Sequence, residues 1–205
     1  MLFREIFFIC FGYLLGSILF ARLFGLLFAH KDITQNTADG NPGTANAFLQ
    51  GGFLCGVCTL LGDLFKGYLP VAWYLSTQNQ PTVPPLAFAL LIAAPVLGHI
   101  FPLFHHLHGG KGIATSFGCL LALLPDPVPV LTLAFFLFFS CIVRISPHFY
   151  RTIVTYLCSF AALCFSNVSL SVRLGFLLIT AGVFLRMHLS QESKERCTIK
   201  LLWMR

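Results

Sequence analysis

The chain has 205 residues and a formal net charge of +6, with 57% hydrophobic and only 10% charged side chains. A soluble domain carries about a quarter charged residues, so an ordinary water-soluble fold is excluded. In such an apolar chain Lys and Arg follow membrane topology, so the positive charge does not point to nucleic acid as a partner.

Apolar segments follow one another at about residues 3–28, 50–75, 85–104, 113–125, 128–143, 151–166 and 170–188. Roughly 20 apolar residues span a bilayer as helix. The pattern predicts an all-α, polytopic membrane protein of about seven transmembrane helices, with residues 1–205 forming a single membrane-integral domain. The first run follows Arg4 and resembles a secretory signal, but it is too long and no small-x-small site ends it, so a retained helix is expected. Segments 113–125 and 128–143 are short and flank the turn-like PDPVP. Such pieces need cover from protein or a water-filled cavity, so they are expected at half depth or packed on neighbours. Seven of the eight cysteines (Cys10, Cys55, Cys58, Cys119, Cys141, Cys158 and Cys164) sit in apolar runs, where a thiol acts as a small hydrophobe.

The loops alternate in charge. Lys31, Lys111, Arg144, Lys194, Arg196, Lys200 and Arg205 fall in 30–49, 105–112, 144–150 and 189–205, whereas 76–84, 125–129 and 166–172 hold no Lys or Arg. Basic loops face the cytoplasm, which predicts an outside N-terminus and a cytoplasmic C-terminus.

Polar motifs gather on the basic side. In residues 30–46, Gly40 and Gly43 flank Asn41 and Pro42, a turn that can aim backbone N–H groups at an anion. Asp63 and Lys66 lie three apart, hence on one helix face, inside an apolar stretch. Charges there pair or line a polar cavity. His99 stands near a span end, followed by His105, His106 and His108. No local carboxylate accompanies these histidines, which counts against zinc. Lys111 lies between Gly110 and Gly112 at the start of a helix, where an ammonium and free N–H groups suit a phosphate. The full nucleotide-binding loop spacing is missing, so triphosphate hydrolysis is not indicated. The residues read as an anion pocket open to the cytoplasm, compatible with a transporter, an interfacial enzyme or a lipid-binding scaffold.

Over nearly its whole length the chain resembles the bacterial glycerol-3-phosphate acyltransferases that use acyl-phosphate. Gly16–Ser17–Ile18 matches their first-helix GSI, and Asp32–Ile33 with Gly40–Asn41–Pro42–Gly43 and Asn46 matches their first loop. Asp63, Lys66 and Gly67 match DxxKG, while Gly98, His99, Phe101 and Pro102 match GHxFP. The run Gly109–Gly110–Lys111–Gly112–Ile113–Ala114–Thr115 matches GGKGxAT. Three places depart from the pattern. Asp39 stands where the family has Ser, Leu49 stands near its Arg, and Arg186, Met187, His188, Leu189 and Ser190 replace an HRxN-like helix end.

The resemblance implies acyl transfer from acyl-phosphate to the 1-hydroxyl of sn-glycerol 3-phosphate, giving lysophosphatidate and phosphate. It implies a multi-pass protein of the bacterial inner membrane, in contact with membrane lipid. It also implies functional coupling to an enzyme that makes acyl-phosphate, and no cofactor or metal. The HxxxxD signature of the other acyltransferases is absent after His99, His105, His106 and His108, which fits a different donor. His99, Lys111 and Asp63 are the candidate catalytic residues, with His99 the first candidate base. Asn41, Gly43, Asn46, Lys66, Gly109, Gly110, Gly112, Arg144 and Ser17 are the candidate phosphate-pocket residues, with Arg151 a possible substitute for Arg144. Lys111→Ala is expected to abolish acyl transfer while the protein still inserts and folds. Transfer assays on the purified variant in lipid check this, and undiminished activity refutes it.

Overall fold

Apolar runs interrupted by Gly, Pro and Ser dictate helices of unequal length. The computed structural model describes residues 2–35, 37, 39–77, 84–143, 145–190 and 197–199. Among them the helices are α1 (Leu2–Gly16), α2 (Phe20–Ala29), α3 (Thr44–Ser76), α4 (Pro85–Ile100), α5 (Ile113–Leu121), α6 (Val128–Ile142), α7 (His148–Cys164) and α8 (Leu170–Leu189). Two-residue strands β1 (Ile145–Ser146) and β2 (Thr198–Ile199) pair antiparallel. Arg144, Lys194, Arg196, Lys200 and Arg205, and most of the loop 76–84, lie outside the described residues.

Four stretches are long and apolar enough to cross a membrane: Phe3–Ala29, Thr44–Ser76, Pro85–His105 and Leu170–Leu189. The protein is therefore mostly helical and built to cross a bilayer several times. The short segments form short helices, α5 of 9 residues and α6 of 15. The first apolar run differs from expectation in being two helices. The break at Ser17–Leu19 releases the Ile18 carbonyl from the helical ladder, and the Lys66 ammonium donates to it at 2.6 Å. A second break lies within α3, where Gly52 adopts φ 85°, a conformation only glycine enters freely.

Helix α4 is the centre of the bundle, with Leu91, Ile92, Ala93, Val96 and Ile100 all fully buried. Small residues let backbones touch, as in other membrane helix pairs. A Cβ on Gly98 would fall 2.1 Å from the Tyr13 carbonyl of α1, and one on Gly16 would fall 2.2 Å from the Pro95 carbonyl of α4. The same reciprocal fit joins α3 to α5. A Cβ on Gly67 would meet the Thr115 carbonyl at 2.2 Å, and one on Gly118 would meet the Leu64 carbonyl at 2.0 Å. These contacts carry α5, and with it the loop before it, onto the charged face of α3.

The outer surface is apolar, with Phe53 79% and Phe138 68% exposed, as suits lipid contact. Hydroxyls point inward instead: Ser116, Thr152, Ser159 and Thr180 are buried. Each donates to the carbonyl four residues back, at 2.7–3.0 Å, so these hydroxyls are satisfied without water. Gly118→Leu should separate α5 from α3 and destabilise the fold by about 2 kcal/mol or more. Thermal unfolding in detergent checks this, with the lipid-facing Phe138→Leu expected to unfold like the unmodified protein.

Candidate anion site

The first three N–H groups of an α-helix have no carbonyl partner within it. Helices α3, α5 and α7 begin after Gly43, Gly112 and Pro147, and none of these caps supplies a side-chain hydrogen bond. All three starts line one cavity of about 840 Å³: Thr44, Ala45 and Asn46 from α3, Ile113 and Ala114 from α5, and His148, Arg151 and Thr152 from α7. Three positive helix ends around one space favour an anion there. Two cations, Lys111 and Arg151, share the wall with Leu49, Leu60, Phe117 and Leu137. The cavity thus joins anion-binding chemistry to an apolar surface.

At the mouth, Asp39 is held like a bound anion. Its Oδ1 accepts from the Asn41 backbone N–H at 3.1 Å and from Asn46 Nδ2 at 2.9 Å. Its Oδ2 lies 3.1 Å from Lys111 Nζ, and the two side chains are 18% and 17% exposed. Burial acts to raise the Asp39 carboxyl. The Asn46 amide, the Lys111 ammonium and the Asn41 N–H outweigh burial and leave it below the usual carboxylate range. Because the folded value is depressed, the stabilisation from this pairing is complete above the ordinary carboxylate pKa and fades only as pH falls through the lower value. Asn46 Nδ2 also donates to the Asn41 carbonyl at 2.8 Å, closing the turn. The Asn41 Oδ1 is buried without a hydrogen-bond partner, on a residue that lines the cavity.

Beneath this turn lies a buried ammonium. Lys66 is 0% exposed, and its Nζ meets Asp63 Oδ1 at 2.8 Å, His99 Nδ1 at 2.8 Å and the Ile18 carbonyl at 2.6 Å. Two of these contacts are hydrogen bonds, and Asp63 supplies the counter-charge. Since Lys66 only donates, His99 Nδ1 accepts, and the hydrogen-bond pattern assigns the neutral ring's proton to Nε2. That Nε2 faces Gly110 so closely that a Cβ there would fall 2.1 Å away. The loop is stitched to its surroundings. Gly109 N–H donates to the Ile100 carbonyl at 3.2 Å and Gly110 N–H to the His99 carbonyl at 3.1 Å. Arg186 donates twice to the Gly109 carbonyl, at 3.0 and 2.7 Å.

The structure therefore sorts the expected residues. Asn41, Gly43, Asn46, Asp63, His99, Lys111 and Gly112 line the cavity. Gly109 and Gly110 are buried in the loop behind it. Lys66, expected as a phosphate ligand, is not on the wall; it is locked in the buried pairing just described. Ser17 is also elsewhere. Its hydroxyl donates to the Tyr13 carbonyl at 2.8 Å and accepts from Leu103 N–H at 3.2 Å, so it fastens α1 to the end of α4. Arg144 lies outside the described residues. Sequence reasoning missed His148 and Thr152, which only the α7 start reveals. It placed Arg186 in a helix end that departs from the family pattern and did not foresee its grip on the Gly109 carbonyl.

The class this defines is a polytopic helical membrane protein with an anion cavity beside an apolar wall. The glycerol-3-phosphate acyltransferase family profile matches residues 6–194, and the chain belongs to that family. A glycerol-3-phosphate acyltransferase of Proteus mirabilis is 41% identical over 117 residues, covering 56% of this chain and 50% of the relative. One from Pseudomonas syringae pv. tomato is 40% identical over 140 residues, covering 66% of this chain and 68% of the relative. The match thus spans about half of the Proteus protein's own length. Among solved structures, PlsY (YgiH), an integral membrane glycerol 3-phosphate acyltransferase, is similar in its lysophosphatidic acid form. The TM-score is 0.72 at 25% identity, over 89% of this chain and 87% of that one. Its glycerol 3-phosphate form gives a TM-score of 0.71 at 25% identity, over 90% and 88%.

Asp63→Asn removes the counter-charge of a buried ammonium and should lower stability by about 3 kcal/mol. Thermal unfolding in detergent tests this, and the double variant Asp63→Asn with Lys66→Met should recover most of the loss.

Proposed function

We propose that this chain transfers a fatty acyl group from acyl-phosphate to the 1-hydroxyl of sn-glycerol 3-phosphate, releasing lysophosphatidate and inorganic phosphate. One observation carries the reading: three uncapped helix starts, Lys111 and Arg151 surround a single cavity that also has an apolar wall. Both substrates present phosphate oxygens, and one also presents an acyl chain. The volume of about 840 Å³ falls in the range of small-molecule sites.

In this reading Lys111 and the N–H groups of α5 hold a phosphate, and Arg151 with the α7 start holds the other. The acyl chain runs along Leu60, Phe117 and Leu137. The glycerol hydroxyl oxygen attacks the acyl carbonyl carbon, the carbon–oxygen bond to phosphate breaks, and positive charge stabilises the departing phosphate. The hydroxyl proton passes to the leaving phosphate. His99 is less suited to remove it while Lys66 occupies Nδ1. With its proton on Nε2 the ring orients the loop or donates to a developing oxyanion, and Asp63 fixes the ring through Lys66. Lys66 and Ser17 act by positioning.

We further propose a single domain of seven crossings, with the N-terminus outside and the C-terminus cytoplasmic, in the bacterial inner membrane. The cavity draws on the loops 30–49, 105–112 and 144–150, the basic ones, which supports a cytoplasmic opening. That side also gives access to an enzyme supplying acyl-phosphate.

The test combines the purified protein in lipid discs with acyl-phosphate and labelled glycerol 3-phosphate. Labelled lysophosphatidate should form without acyl-CoA, and Arg151→Gln should lower the rate about tenfold or more. Uptake of unacylated label into sealed vesicles, with no product, would instead show a transporter.

A further inference from the structure

The cavity already contains a negative charge. Asp39 lines it, and its carboxylate accepts from a backbone N–H, a side-chain amide and the Lys111 ammonium. These are the donor types a phosphate oxygen needs. The carboxylate is on the same turn as Asn41 and Gly43, at the start of α3, and reaches across to the loop that opens α5. An incoming phosphate must therefore meet Lys111 in competition with a carboxylate that belongs to the chain.

We propose that Asp39 is a built-in competitor for Lys111, which loosens the cavity's hold on phosphate and so speeds release of the phosphate product. Resting on the acyltransferase reading, it adds a residue that sets affinity and turnover without contributing to bond making. While the cavity is empty, Asp39 neutralises Lys111 and no ammonium faces the apolar wall alone. When phosphate arrives, Lys111 turns from Oδ2 to it, and Oδ1 keeps its two turn donors. After transfer, Oδ2 draws Lys111 back and the product loses a ligand. Asp39 acts through Lys111 and is a positioning residue.

Asp39→Asn separates charge from shape. Its side-chain carbonyl oxygen still accepts from Asn41 N–H and Asn46 Nδ2, while the charge facing Lys111 is gone. The expected result is binding of inorganic phosphate, followed by titration calorimetry, that is about tenfold tighter than in the unmodified protein. In the transfer assay the KM for glycerol 3-phosphate should fall by a similar factor, with kcat unchanged or lower. Asp39→Ser provides the same comparison should the Asn variant destabilise the turn. A purely structural Asp39 predicts unaltered phosphate affinity in Asp39→Asn, and unaltered or weaker binding overturns the proposal. The two readings fail separately. Tighter phosphate binding in a protein that makes no lysophosphatidate would sink the acyltransferase and leave the competitor in place. Product formation with unaltered KM and phosphate affinity would do the reverse.

Discussion

The buried ammonium of Lys66 is the interaction on which the rest of this structure depends. Its three partners come from separate places: Asp63 on its own helix, Ile18 at the break between α1 and α2, and His99 near the end of α4. Taking a full charge out of water costs several kcal/mol even after relaxation, so no partner is dispensable. The arrangement orders what lies above it. His99, with Nδ1 occupied, turns Nε2 toward Gly110, and its carbonyl accepts the Gly110 N–H. Arg186 of α8 then holds the neighbouring Gly109 carbonyl. One ammonium thus sets the loop that delivers Lys111 to the cavity.

The local part of this site was legible in the sequence. Asp63 and Lys66 are one helical turn apart, and the glycines around Asn41 and Lys111 mark turns by their chemistry alone. The family's motifs then brought the turns together. What stayed hidden depends on distant partners. Nothing in GSILF marks a helix break, because the break is stabilised by an ammonium 48 residues on. The grip of Arg186 on Gly109 spans 77 residues and ends on a carbonyl, which has no sequence signature. Lys66 looked like a ligand because buried charge and catalytic charge share one pattern; only the count of its partners distinguishes them. Arg151 gains its place from the geometry of the α7 start, since a helix terminus is visible as a site only when its neighbours are known.

The bundle places its polarity inward and its hydrocarbon outward, and the two meet at the cavity. Reciprocal glycine contacts between α1 and α4, and between α3 and α5, bring backbones together where side chains would hold them apart. The hydroxyls of Ser116, Ser159 and Thr180 each donate within their own helix. These hydroxyls need no water, and the N–H groups of three helix starts stay open toward the cavity. An amphiphile can place its head against those starts and its tail along Leu60 and Leu137 without leaving the protein.

The break at Gly52 bears on how the protein fits its bilayer. Helix α3 has 33 residues, and as one straight rod it would be about 50 Å long, against a hydrocarbon thickness of about 30 Å. A straight helix would have to tilt steeply or thicken the membrane around it. Gly52 divides the length, so the turns from Thr44 to Gly51 can follow the interface while the remainder crosses. Hydrophobic mismatch is thereby reduced at a joint, which leaves a crossing part of about 36 Å that needs far less tilt.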